Sequence, residues 1–109
     1  MRRSTIEKRV LNLNNLIAKL IEDDTLAIEP DSTWESCYAF KPVVLTDRFI
    51  YFEYKDVYLD FGNPISKERY CLNNFNHEDE IKYKLNWFLR AIKKGIKENL
   101  KQAKQDLYN

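Results

Sequence analysis

Hydrophobic residues recur along this chain in two rhythms, one helical and one strand-like. Ile6, Val10, Leu13, Ile17 and Leu20 follow one another at spacings of 4, 3, 4 and 3, which gathers them on one helix face. They predict a helix over about residues 5–23, with Leu16 and Ile21 widening its buried stripe. Ser4 and Glu7 stand at the spacing of a capping box at its start. The same rhythm returns in Ile81, Leu85, Phe88, Ile92, Ile96, Leu100, Ala103 and Leu107. It predicts a second helix over 77–107, with Asn76 as N-cap and Glu78, Asp79 and Glu80 in the first turn, where the macrodipole favours anions. Such a helix would run about 46 Å, against a domain diameter of roughly 35 Å. Packing along the first helix is the favoured solution, and a homodimer the second.

Between the helices the period falls to two. Trp34, Ser36, Tyr38 and Phe40 alternate with Glu35, Cys37 and Ala39 until Lys41-Pro42 interrupts them. Pro42 confines that point to a strand end, an edge or a bulge. Val43-Val44-Leu45 continues the strand, and Thr46-Asp47-Arg48 reads as a turn. Then the parity changes: Ile50, Phe52 and Tyr54 share one face, whereas Val57, Leu59 and Phe61 have the opposite register. A reversal at Lys55-Asp56 would pair 54 with 57, 52 with 59 and 50 with 61. It would put all six apolar side chains on one face and leave Tyr51, Glu53, Tyr58 and Asp60 on the other. Lys-Asp is a poor pair for a tight hairpin turn, so a longer loop or bulge is the alternative there. Gly62-Asn63-Pro64 ends that strand, and residues 69–72 supply a last one. The expected fold is a single α+β domain over 1–109: an N-terminal helix, an antiparallel sheet of four or five strands and a long C-terminal helix, with both helices on one sheet face.

Composition narrows the function classes. A chain of 109 residues with 44% hydrophobic and 32% charged content has the make-up of one folded domain. Its two glycines leave turns to Asn, Asp and Pro, and rule out a GxGxxG or P-loop nucleotide site. Cys37 and Cys71 stand far apart without CxxC or Cys/His neighbours, as suits reduced, packed thiols in a cytoplasmic protein. No apolar signal region or 18-residue apolar run is present. The abundance of Asn, Lys and Ile suits an AT-rich coding sequence, as in low-GC bacteria and their mobile elements.

Charge is segregated along the sequence. Residues 1–21 hold five bases and one acid, and residues 22–60 hold three bases and ten acids. Residues 61–80 hold two and four, and residues 81–109 hold eight and two. The predicted helices are thus basic and the predicted sheet region acidic. Arg90, Lys94, Lys97, Lys101 and Lys104 form a single stripe on the second helix that could follow a phosphate backbone. The bland alternative is a solvated face, or one neutralised by acids elsewhere in the fold.

Glu53-Tyr54-Lys55, with Asp31 upstream, has the residue types of a metal-dependent nuclease centre. Such a triplet is common in any Glu- and Lys-rich chain, and Lys55 falls at the expected reversal. The single histidine, His77, lacks a second imidazole and reads as a surface residue near a helix cap. No cofactor is called for. The pattern favours a non-enzymatic binding protein that uses Tyr51, Glu53, Asp56, Tyr58 and Asp60 to occupy a basic, nucleic-acid-binding site on another protein. Phage-encoded antagonists of host nucleases, including anti-CRISPR proteins, are of this type. The rival is direct nucleic-acid binding through the basic stripe.

Overall fold

The structure, a computed structural model, describes residues 1–31, 36–57, 65–73 and 77–98. Helix α1 spans Arg3–Glu22 and buries Ile6, Val10, Leu13, Ile17 and Leu20, the stripe that the spacing predicts. Leu16 packs at the margin of the core, but Ile21 is exposed. The capping box does not form. Helical hydrogen bonds begin at the Arg2 carbonyl, which accepts from the amides of Thr5 and Ile6, and Glu7 instead pairs with Arg3 at 2.9 Å. Asp24 ends the helix region at φ 52, one of the turn roles that glycine would otherwise fill.

Five strands follow: β1 (Ala27–Ile28), β2 (Cys37–Phe40), β3 (Val44–Leu45), β4 (Phe49–Asp56) and β5 (Ser66–Cys71), then helix α2 (Glu78–Glu98). All pairings are antiparallel. β4 is central, with β5 along one side and β2 and β3 in tandem along the other; β1 continues the sheet beyond β2. Phe40 lies opposite Tyr54, yet Val44 lies opposite Tyr51. Three residues (41–43) therefore oppose two on β4, a bulge at Pro42. It leaves the buried Val43 without its ladder bonds, and α1 supplies them: the Val43 amide donates to Asn14 Oδ1 at 2.7 Å, and Asn14 Nδ2 donates to the Val43 carbonyl at 2.9 Å.

The expected reversal of the chain is overturned as well. The chain does not reverse at Lys55-Asp56; β4 runs through both residues, with Lys55 opposite Ala39 and Asp56 opposite Tyr38. The hairpin partner of β4 is β5, with Tyr54 opposite Ser66 and Phe49 opposite Cys71. The expected pairings of 52 with 59 and 50 with 61 do not occur, since Phe52 faces Glu68 and Ile50 faces Tyr70. Val57 keeps its opposite parity for another reason. It packs with Ala39 against buried Leu26, Ile28 and Cys37, a small apolar cluster on the sheet face away from the helices.

Both helices lie on the other face, over Ala27, Phe40, Val43, Ile50 and Phe52. They run side by side in the same direction, with the Met1 amino group on Glu78 and Arg9 on Asn86. Phe88 of α2 stacks on Phe40 at 4.0 Å and meets Phe52 edge-on at 5.2 Å. Farther along, Gly95 presses against β1: a Cβ there would lie 2.0 Å from the Leu26 carbonyl oxygen. With Gly95 on the line that faces β1, Ile96 lies about 100° farther round the helix, and although expected in the stripe it is exposed. Residues 99–107 of the expected helix, and Asn76, lie outside the described residues.

Two substitutions test this packing. Gly95→Ala gains about 1 kcal/mol of helix propensity but forces α2 off β1, so a net loss of about 1–3 kcal/mol is expected. A raised urea midpoint for this variant would contradict the close approach. Asn14→Ala strands two backbone groups of Val43 and is expected to cost about 1–3 kcal/mol. That cost would be read as a lower urea midpoint at unchanged m.

Candidate functional site

Where β5 meets the first turns of α2, an open groove of about 480 Å³ is lined by Glu68, Tyr70, Asp79, Glu80, Tyr83 and Lys84. Strand parity places Glu68 and Tyr70 on the helix side, since their partners Phe52 and Ile50 are core residues. Helix periodicity presents Asp79, Glu80 and Tyr83 outward, and Tyr83 is 57% exposed. Lys84 is the internal cation of the groove wall. Its side chain is only 12% exposed, its Nζ lies 2.8 Å from Glu68 Oε2 and donates to the Tyr54 hydroxyl at 3.5 Å. The same ammonium sits 5.1 Å from the Tyr54 ring and 5.0 Å from the Trp87 ring, within cation–π range. Tyr70 donates to Glu68 Oε1 at 3.2 Å. Glu68 and Lys84 are thus an ion pair, although Glu68 Oε2 accepts no hydrogen bond, and Asp79 and Glu80 remain as exposed carboxylates beside two phenols.

A second polar cluster sits at the end of β1. Glu29 accepts from Trp87 Nε1 at 3.1 Å and from the Tyr38 hydroxyl at 3.3 Å. Arg90 forks onto both oxygens of Asp31, and Lys94 Nζ donates to the Glu29 carbonyl at 3.0 Å. The first two members of the basic stripe are therefore engaged by β1 and the residues just after it. Lys97 is exposed, and Lys101 and Lys104 lie outside the described residues.

The expected partner surface is divided. Tyr51 and Glu53 share the open sheet face, but Asp56 lies opposite Tyr38 on the helix side; Tyr58 and Asp60 lie outside the described residues. Around Tyr51 and Glu53 stand Arg69 and Lys67 on β5, directly opposite, and Lys41, whose Nζ is 3.9 Å from Glu53 Oε2. This face is more basic than the block charges suggest. The components of the nuclease reading are also separated: Asp31 is tied to α2 on the helix side, whereas Glu53 points to the open face. Among the described residues no three His, Cys, Asp or Glu side chains gather as metal ligands. His77 is half-buried, with its ring edge-on to Tyr70 at 5.9 Å. Cys37 is buried, Cys71 half-buried, and neither is in a disulfide. Among the described residues no helix is long and apolar enough to cross a membrane. No protein-family model, curated protein or solved structure matches this chain.

The groove was hidden from the sequence because it joins β5 to α2 through residues whose faces depend on strand parity. Lys84 in particular reads as one more surface lysine.

Burial pushes two phenols up to about 12: Tyr38, assisted chiefly by the Glu29 carboxylate, and Tyr54, assisted by Glu68. Their folded values exceed the ordinary phenol value of 10.0. The stability they contribute is therefore complete below pH 10 and is lost as pH rises through about 12. Burial, with Glu68 beside it, raises the Tyr70 hydroxyl as well, so alkaline titration should show three of the seven tyrosines ionising late, together with loss of helical circular dichroism. Uniform ionisation of all tyrosines near the ordinary value in folded protein would contradict this.

Proposed function

We propose that this chain is a small, non-enzymatic protein-binding protein of the inhibitor or immunity type. In this reading it acts in the cytoplasm and occupies a basic, nucleic-acid-binding site on a partner enzyme. The observation that supports the reading is the groove of β5 and α2, where exposed Asp79 and Glu80 stand beside Tyr70 and Tyr83 while Glu68 is already paired with Lys84. An arginine or lysine of a partner entering it would meet charge-assisted hydrogen-bond acceptors and phenol rings together. Complementarity of that kind steers association and selects a partner. The acidic, tyrosine-bearing surface thus belongs at the edge of the molecule rather than on the open sheet. Origin in a phage or other mobile element, with anti-CRISPR activity as one form of inhibition, suits the small size and the Asn-, Lys- and Ile-rich composition. The rival, nucleic-acid binding through α2, has less support because Arg90 and Lys94 are engaged within the fold.

The test is affinity capture from the native host, followed by binding measurements on the captured enzyme. Asp79→Lys combined with Glu80→Lys should weaken the complex at least about tenfold. Lys97→Glu should leave it nearly unchanged. Equal affinity for the charge-reversed variant, or capture of nucleic acid without protein, would overturn the reading.

A further inference from the structure

We propose that the exposed end of the open sheet face is a separate binding surface, and that its ligand is a single-stranded nucleic acid. At the β1 end this face is closed over by the cluster around Cys37, but across β3, β4 and β5 it presents exposed Val44, Lys67 and Arg69 around half-buried Phe49, Tyr51 and Glu53. Among the described residues neither helix packs there. Strand pairing orders the surface in rows. Tyr51 of β4 stands between exposed Val44 of β3 and exposed Arg69 of β5. Glu53, in the next row, stands between Lys41 and Lys67. Phe49 lies two residues before Tyr51 on the same face, and their ring centroids are 6.2 Å apart. The Arg69 guanidinium lies over the Phe49 ring at 4.6 Å.

Charge and ring placement together select the ligand. Among the described residues, Lys41, Lys67 and Arg69 outnumber the carboxylate that stands between them, Glu53, which Lys41 already meets at 3.9 Å, so the surface favours an anion. Lys67 and Arg69 project from the same side of one strand about 7 Å apart, a spacing that can follow a chain of phosphates. The Tyr51 ring and the Arg69 guanidinium over Phe49 give bases planar groups to stack on, which an acidic peptide would leave unused. Arg69, placed over the Phe49 ring, can stack and donate to phosphate from one position. A sheet face carrying half-buried rings suits unpaired bases better than a duplex, whose bases are stacked inside. This surface is independent of the acidic groove: it lies on the other side of the sheet and carries the opposite charge.

Fluorescence anisotropy of labelled oligo-dT and oligo-U with the full chain, over a range of salt, tests the proposal. Binding is expected to be stronger than to duplex DNA of equal length and to weaken steadily with salt. Lys67→Glu combined with Arg69→Glu should abolish most of it, while the charge-retaining Lys67→Arg should not. Removing both cations by Lys67→Gln with Arg69→Gln should lower the salt slope by about 1.4. Tyr51→Ala should weaken binding about tenfold, and because Lys67 and Arg69 are exposed, their variants keep the test valid if Tyr51→Ala does not fold. Asp79→Lys with Glu80→Lys should not reduce the affinity, which separates this result from the fate of the groove. No binding at low salt, equal binding of polyglutamate, or insensitivity to the β5 reversals would each overturn the proposal. A self-association removed by the same reversals would overturn it as well, by making a second copy the occupant.

Discussion

β4 is hydrogen-bonded along both sides, to β2 and β3 on one and to β5 on the other. A strand so placed keeps one structural freedom, the parity of its side chains, and a shift of one residue would exchange its two faces. Ile50 and Phe52 fix the choice, since both are fully buried beneath the helices. Tyr51 and Glu53 are then committed to the opposite face. β5 inherits the same division through its register, with Glu68 and Tyr70 on the helix side and Lys67 and Arg69 away from it. The bulge at Pro42 lets the neighbouring strand keep pairing with β4 beyond a residue that has no amide hydrogen to donate. Asn14 makes that tolerable by bonding both backbone groups of Val43. A helix side chain therefore completes the sheet, and it fixes where α1 sits.

Periodic features were legible in the sequence because repetition averages out local exceptions. The buried stripe of α1 follows from its spacing residue for residue, and so does the inward set Tyr38 and Phe40 of β2. The exceptions have single causes. Ile96 continues the pattern of α2, but the contact line with β1 runs through Gly95, where there is no room for a side chain, and Ile96 falls to its exposed side. Val57 suggested a reversal because its parity disagrees with Ile50 and Phe52. That inference assumed one core. The sheet has apolar partners on both faces at its β1 end, so a residue of opposite parity can be packed without any turn.

Charge was misleading for a related reason. Block counts along the chain make the sheet acidic and the helices basic, yet a strand deals successive residues to opposite faces. Lys67-Glu68-Arg69 has little net charge as a segment, but it contributes two cations to one face and a carboxylate to the other. Glu29 and Asp31 belong to the acidic block, and in the fold they engage Trp87, Arg90 and Lys94 of α2. Contacts so distant in sequence leave no local signature. The net charge of +1 is therefore compatible with a cationic sheet face and an anionic groove on one small protein.

The groove and the helix that frames it depend on the same charges. Asp79 and Glu80 lie in the first turn of α2, where the unpaired amides and the macrodipole favour anions by about 0.3–1 kcal/mol each. They can stay ionised and exposed without opposing the fold, which is the condition a recognition carboxylate has to meet. Glu68 would be a poorer recognition group. It is held by Lys84 and Tyr70, and engaging it would require breaking a partly buried ion pair whose ammonium has rings on one side and little water. In the proposed function, recognition falls to the acids that the helix terminus already stabilises, and structural work to the one that pairs with the lysine. Reversing Asp79 and Glu80 would remove both kinds of interaction together. A weakened complex therefore reports on the groove only where circular dichroism shows α2 intact.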